Sequence, residues 1–329
     1  MRLMFTRLGT AVSLLLLAAT LAAVAQPAAK THRIGFLSSL SASSSQFQLE
    51  AVRQGLRDLG YVEGRTIVIE ARWAEGNYAR LPDLARELIG LNPDLIVSAG
   101  GPPTARALQS ATATIPIVFV SGSAVAAGIV SSIARPSGNL TGFEILAEDL
   151  DAKRLELLKE ILPRAARVAV LWNPGNLEGR LQRQQLEAAA QVRGMRLRFV
   201  EARHPGEIEP AFTVMARERA DGVIVSADPM FTSEYRHIVE LAARTRLPAI
   251  YSFRSASEAG GLMSYGTDLF AVYRSAATYV DKILAGTKPA NLPVQQPTKF
   301  DLVINAKTAK ALGLTIPQSL MVRADQLIQ

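Results

Sequence analysis

Two short stretches of this chain carry the residue types best suited to grip a small polar molecule. "SAGGPPTA" (98–105) sets two glycines and a threonine ahead of a segment that reads as a helix. Gly100 and Gly101 let backbone N–H groups approach an anionic oxygen closely, and Thr104 adds a hydroxyl. "SADPMF" (226–231) is its counterpart, with Asp228 where the first stretch has Gly100. A ligand with one anionic and one cationic end, such as an α-amino acid, matches such a pair. Each stretch also has a plainer reading. The first makes a tight turn with Pro102 or Pro103 in the first turn of a helix, and Asp228 before Pro229 caps the next helix.

Other candidate ligand contacts lie at equivalent places. Ser38 and Ser39 open the Ser-rich turn "SSLSASSSQ", and Ser121 follows "IPIVFV". Trp172 and Asn173 end "VAVLWN", and Phe231, Tyr251 and Phe253 supply aromatic rings that wall a pocket or pack a core. Asn173 also fits the ordinary turn Asn-Pro-Gly.

Catalytic constellations are missing. His32, His204 and His237 have no H-x-x-x-H or H-E-x-x-H spacing and no cysteine beside them, so no zinc site is expected. There is no G-x-S-x-G elbow, no P-loop and no G-x-G-x-x-G, so neither acyl-transfer chemistry nor a nucleotide or other cofactor is indicated. The expectation is a binding protein without catalytic residues, metal or cofactor.

The elements that must position these residues are written twice. Arg33 of "RIGFLSS" is answered by Arg167 of "RVAVLWN", and Arg72 of "VIEAR" by Arg203 of "FVEAR". Val97 of "DLIVSAG" is answered by Val225 of "DGVIVSAD", and Ile115 of "IPIVFVS" by Leu247 of "LPAIYSF". The four pairs keep their order along the chain at nearly constant spacing, which marks an internal structural repeat. Between the apolar runs lie helix-period segments: Val52, Leu56 and Leu59; Leu81 to Ile89; a helix from Pro102; and a fourth near 125–133. The second half answers with helices over 181–192, 208–219 and 235–243. Strands alternating with helices, each strand apolar throughout, indicate parallel sheets covered on both faces. The fold class is α/β, with two similar Rossmann-like lobes. Ligands of such sheets sit beyond the carboxyl ends of the strands, where six loops would line one cleft: 38–45, 98–104 and 121–123 facing 172–176, 226–231 and 251–254.

A further strand "GGLMSYGTD", a helix over 269–286 and a Pro-rich extension imply exchange of segments. The N-terminal lobe is expected to comprise 32–142 plus 268–292 and the C-terminal lobe 146–264 plus 298–329. A three-crossing hinge near 141–146, 264–268 and 292–299 would join them.

Composition bounds the setting. Arg2 and Arg7, the uncharged 14-residue run "AVSLLLLAATLAAV" and the small-x-small "AVA" at 23–25 read as a signal peptide over residues 1–25, too short to span a bilayer. An exported, periplasmic chain is expected. With no cysteine it can carry neither a disulfide nor a lipid-modified thiol, so a tethered lipoprotein is not expected. The net charge of +7 is dispersed among acids, with no like-charge block for nucleic acid.

At "LRDLGYVEGRTIVIEARWAEGNYARLPDLARELIGLNPDLIV", "IARPSGNLTGFE", "AGGLMSYGTDLFAVYRSAATYVDKILAGTKPANLPVQQPTKFDLVINAKTAKALGLTIP" and the terminal "RADQLI", the chain resembles substrate-binding components of ABC transporters with the type I periplasmic-binding fold. The likeness covers nearly all of 32–329 and is strongest to the branch that includes tryptophan/tyrosine uptake binding proteins. It implies uptake of a small solute without naming it; with the unlike pair at Gly100 and Asp228, the expected ligand is an amino acid or related carboxylate, delivered to an ABC permease in the inner membrane. Where such proteins usually carry Asp-Pro after the fourth strand, this chain has Ser123 and Ala124, which puts any ligand contact from that Asp in doubt. The same scaffold would also suit a periplasmic sensor subunit signalling to a membrane receptor, or an exported α/β enzyme.

Overall fold

A computed structural model describes residues 31–136, 138–146 and 150–329; the expected signal segment 1–25 lies outside the described residues. The repeat becomes two sheets. The first contains β1 (His32–Ser38), β2 (Ile67–Trp73), β3 (Leu95–Ala99), β4 (Ile117–Ser121) and β5 (Leu140–Glu144) in the order β2-β1-β3-β4-β5, all parallel. The second contains β6 (Arg167–Trp172), β7 (Arg196–Glu201), β8 (Gly222–Val225), β9 (Ala249–Tyr251), β10 (Met263–Gly266), β11 (Asp301–Asn305) and β12 (Gln326–Ile328), in the order β12-β11-β10-β9-β8-β6-β7. Its only antiparallel pairing among the described strands is β10 with β11, where the chain returns from the other sheet. Every residue of β3 and β4 is buried, the mark of strands covered on both faces.

Two local expectations fail. No helix forms over 125–133. The chain turns there instead, with Ser123 and Gly128 both in the left-handed region, and the buried Glu144 carboxylate accepts the Ala124 N–H at 2.6 Å. Leu59 does not continue the apolar stripe of the first helix, α1 (Gln46–Asp58). It is the residue that ends the helix and is 42% exposed.

Among the described elements the chain passes between the sheets three times: after β5, after β10 and before β11. The first and third passages pair directly. Glu144 N–H donates to Gln295 O at 2.8 Å, Gln295 N–H to Gly142 O at 3.0 Å, and the Gln296 amide to Glu144 Oε2 at 2.7 Å. Thr267, in the second passage, donates its hydroxyl to Ile145 O.

The helix after the second passage, Leu269–Leu284, packs on α1 of the first sheet's layer. Gly55 sits at their crossing. A Cβ there would lie 2.3 Å from Arg274 O and 2.6 Å from the Ala277 methyl, so the helices meet at a distance only glycine allows. Arg274 also pairs with Asp58 at 2.8 Å, and the Tyr61 hydroxyl donates to Asp281 at 2.9 Å, locking this late segment onto the beginning of the fold. Replacing Gly with Ala inside an exposed helix normally stabilises it. Here Gly55→Ala is expected to cost about 1–3 kcal/mol through overpacking, read as a lower urea midpoint at unchanged m-value.

Candidate functional site

The loops beyond the carboxyl ends of the strands meet around one cavity of about 50 Å³ between the sheets. All six loops contribute to its wall: Leu40 after β1, Gly100 and Gly101 after β3, Gly122 after β4, Asn176 after β6, Asp228 after β8 and Phe253 after β9. The parallel arrangement causes this convergence, because every strand of the first sheet, and β6 to β10 of the second, leave at the same edge. Leu269 and Tyr273 enter from the helix that follows the second passage, and Gln48 enters from α1.

Among the described residues Asp228 is the one carboxylate on this wall. It is 2% exposed and caps the short helix Pro229–Ser233, Oδ1 accepting the Met230 N–H at 2.8 Å. It also reaches across the cleft. The Tyr78 hydroxyl, from the segment after β2, donates to Oδ1 at 3.3 Å, while the Asn176 amide donates to Oδ2 at 3.3 Å. Burial raises the Asp228 pKa above the ordinary carboxylate value of 3.8, against the pull of Met230 N–H and the side chains of Asn173, Asn176 and Tyr78. Burial and the adjacent Asp228 charge push the Tyr78 phenol well up, so it stays protonated and donates.

On the facing side, Gly100 and Gly101 both have positive φ, 81° and 82°. A Cβ on Gly100 would lie 2.2 Å from Ser39 Oγ, and the same hydroxyl donates to Gly100 O at 2.7 Å. Gly101 faces the other sheet's Pro229, 3.5 Å from where its Cβ would be. The helix that starts here, Pro102–Ala111, opens with two prolines, which have no N–H to give. The Gly100 N–H is taken by the Tyr273 hydroxyl at 3.3 Å. Gly101 N–H is left as the loop's donor without an acceptor among the described contacts. Burial holds the Tyr273 phenol protonated, so its own hydrogen is a second donor on this wall.

The residues singled out in the sequence therefore separate into groups. Gly100, Gly101 and Asp228 line the cavity. Ser38, Ser39, Ser121 and Thr104 are buried just outside it. The Ser38 hydroxyl accepts the Leu40 N–H, Ser39 binds Gly100 O, Ser121 binds Gly122 O, and Thr104 Oγ1 has no hydrogen-bond partner. Asn173 accepts the Gly175 N–H at 2.9 Å and lines a wider outer cavity at the cleft mouth with Tyr78 and Arg203. Three aromatics belong to the packing of the second sheet's layers. Trp172 stacks edge-on with Phe199, Phe231 is fully buried in the core, and Tyr251 lines a separate groove with Leu247 and Lys307. Phe253, two residues beyond Tyr251, reaches the cavity instead.

Gln48, Tyr78 and Tyr273 were not singled out as contacts. Gln48 had a sequence signal: a polar residue four positions before Val52, in register with the apolar stripe. Tyr78 and Tyr273 had none, since one sits in a loop and the other in an ordinary buried helix stripe. Among the described residues no group of three or more His, Asp or Glu is arranged to hold a metal ion.

The family model described as ABC transporter substrate binding protein matches residues 33–328. This chain belongs to that family. The tyrosine-binding protein of Clostridioides difficile (strain R20291) is 26% identical over 263 residues, 79% of this chain and 75% of that protein. A conserved domain protein from Vibrio cholerae O1 biovar El Tor superimposes with TM-score 0.85 at 31% identity, covering 91% of this chain and all of that one. An ABC domain from Streptococcus pneumoniae, solved in complex with L-Trp, gives TM-score 0.80 at 27% identity, covering 90% of this chain and all of that one. As an ABC substrate-binding protein the chain is a solute binder and not an enzyme.

The buried Asp228 makes a pH prediction for the ligand-free substrate-binding protein. An acid whose folded pKa lies above its unfolded value holds its proton more tightly when folded. Stability from this group is present at low pH and is lost as pH rises from about the ordinary value of 3.8 through the raised one. The Tm of Asp228→Asn relative to wild type is therefore expected to climb across that window and then level off. A difference independent of pH between 3 and 8 would contradict it.

Proposed function

We propose that this protein captures an α-amino acid between two lobes and delivers it to the permease of an ABC importer. The lobes would comprise 32–142 plus 268–292 and 146–264 plus 298–329, closing about the hinge passages. The observation that carries this reading is the pairing of unlike groups on opposite walls of one cavity. Asp228 offers a carboxylate from one side, while Gly101 N–H and the Tyr273 hydroxyl offer donors from the other. The ammonium of the ligand would sit against Asp228 and its carboxylate against the donors, each a charge-assisted hydrogen bond. Between them the wall is apolar, formed by Leu40, Val120, Phe253 and Leu269, which suits an apolar or aromatic side chain. The relatives named for tyrosine and solved with L-Trp support the same ligand class. Export through the expected signal peptide, as a free periplasmic protein, belongs to this reading. Members of the family act outside the cytoplasm.

The test is thermal unfolding of residues 26–329 against a panel of amino acids and small carboxylates, followed by calorimetric titration. A ligand at a hundred times its dissociation constant adds about 2.7 kcal/mol, a shift of several degrees for a chain of this size. Stabilisation by an apolar or aromatic amino acid is expected, with compaction in solution scattering. Silence across all amino acids would overturn the reading.

In the bound state an ammonium would draw the Asp228 carboxyl back down, so affinity should strengthen as pH rises through its raised value. Asp228→Ala should weaken amino-acid binding by about 10–150-fold, the equivalent of 1.5–3 kcal/mol. Titrations at pH 5 and 8 on both proteins check both statements.

A further inference from the structure

The edge of the second sheet opposite the cleft is lined with arginine. β7, β6, β8 and β9 are parallel neighbours, so the turns that enter them lie side by side. These turns and the first strand residues read "RAAR" (164–167), "RGMRLR" (193–198), "RERAD" (217–221) and "RTR" (244–246). They hold nine arginines and no lysine against two acids, Glu218 and Asp221. The matching turns of the first sheet, 31–33, 59–66, 91–94 and 112–116, hold Arg33 and Arg65 against Glu63 and Asp94, with no excess. Charges dispersed along the chain are gathered at one edge by the rule that gathers the cleft loops at the other.

The needs of the fold do not account for this row. Arg167, Arg193, Arg198 and Arg244 have acidic partners. Arg196, Arg217, Arg219 and Arg246 are exposed and make no ion pair among the described residues. Arg219 and Arg246 follow helix ends in the left-handed region, at φ 55° and 52°, where any residue but glycine or asparagine is disfavoured. The corresponding helix ends of the first sheet's layer carry Gly60 and Asn92. Arg167 and Arg196 are register neighbours on β6 and β7, like charge beside like charge. Val192 ends the helix Leu177–Val192 beside Arg193 and is 84% exposed, the most exposed large apolar side chain among the described residues. Guanidinium groups match phosphate oxygens two at a time. A row of them three strand spacings long, about 4.8 Å each, is wider than a single phosphate. An exposed apolar side chain among the charges suits neither free phosphate nor nucleic acid.

We propose that this edge rests on the headgroups of an anionic phospholipid bilayer. The arginines pair with lipid phosphates, and Val192 enters the headgroup layer. The cleft, at the opposite edge, then faces away from the bilayer and stays open to solute. An exported chain meets such a surface, and the inference is independent of what the cleft binds.

The experiment is flotation of residues 26–329, which hold the whole described fold, with vesicles of phosphatidylcholine alone or with about one-third phosphatidylglycerol. At low salt, wild type is expected to bind the anionic vesicles at least tenfold more tightly than the neutral ones. About 0.5 M sodium chloride should release it. Combining Arg196→Gln, Arg217→Gln, Arg219→Asn and Arg246→Asn should weaken that binding at least tenfold. A control combining Arg65→Gln, Arg80→Gln, Arg106→Gln and Arg135→Gln removes the same charge from other exposed positions and should bind as wild type does. The first variant, relieved at two left-handed positions, is expected to melt at or above the wild-type temperature. A clearly lower temperature would place the arginines in the service of the fold and overturn the proposal. It is equally overturned if neutral vesicles bind as tightly, or if the control loses as much binding as the first variant. Release by inorganic phosphate beyond that by sodium chloride of equal ionic strength would mark a discrete anion site instead of a bilayer surface. Duplex DNA bound as tightly as the anionic vesicles would also sink it, leaving a surface for any polyanion.

Discussion

Parallel pairing of strands is the constraint on which the rest of this structure depends. A parallel strand cannot be joined to its neighbour by a tight turn; the chain must cross over the face of the sheet and start again at the same end. All strands of the first sheet therefore leave at one edge, as do most of the second. Short loops at that edge carry whatever residues the sequence supplies, and the buried strands beneath hold them still. A binding site assembled this way needs no motif of contiguous residues. Its lining comes from positions as far apart as Leu40 and Tyr273.

The cavity draws its rigidity from side chains that do not line it. Ser39 fastens the loop after β1 to Gly100, and Glu144 fastens the loop after β4 through Ala124 N–H. Tyr273 serves both purposes, since its hydroxyl fixes Gly100 and its ring lines the cavity. Positioning groups of this kind explain why several serines chosen for their hydroxyls turn out to have spent them. Asp228 shows that the plain and the functional reading of a residue are compatible. One oxygen caps a helix and meets the opposite wall through Tyr78, and the carboxylate still lies on the cavity surface.

The repeat made the strands legible because buried parallel strands are continuous apolar runs, and runs survive comparison between halves where individual contacts do not. Legibility ended where tertiary placement decides. Tyr251 and Phe253 look equivalent in "LPAIYSF", yet one is the last residue of a strand, facing a helix layer, and the other lies past its end, facing the cleft. Tyr273 sits in a stripe with Ala276, Ala277 and Val280 that any buried helix would show; its presence at the site depends on the chain having crossed back to the first sheet. The absent fourth helix has a local cause. Positive φ at Ser123 and Gly128, and a carboxylate from the neighbouring strand that takes the Ala124 N–H, commit that segment to a turn. Gln48 was readable in principle, as a polar letter in an apolar stripe.

The lacing of the passages between the sheets has a mechanical consequence. The first and third are stitched to each other by backbone bonds at Gly142, Glu144 and Gln295, and the second is tied to the first through Thr267 and Ile145. Separate tethers would let two bodies slide past one another or rotate independently. Tethers bonded into one ribbon resist both, because sliding would break the bonds between them, and leave bending of the ribbon as the soft direction. Any motion of one sheet's layer against the other would then be confined to a single angular coordinate, and one distance across the mouth, as between Tyr78 and Asn173, would follow it.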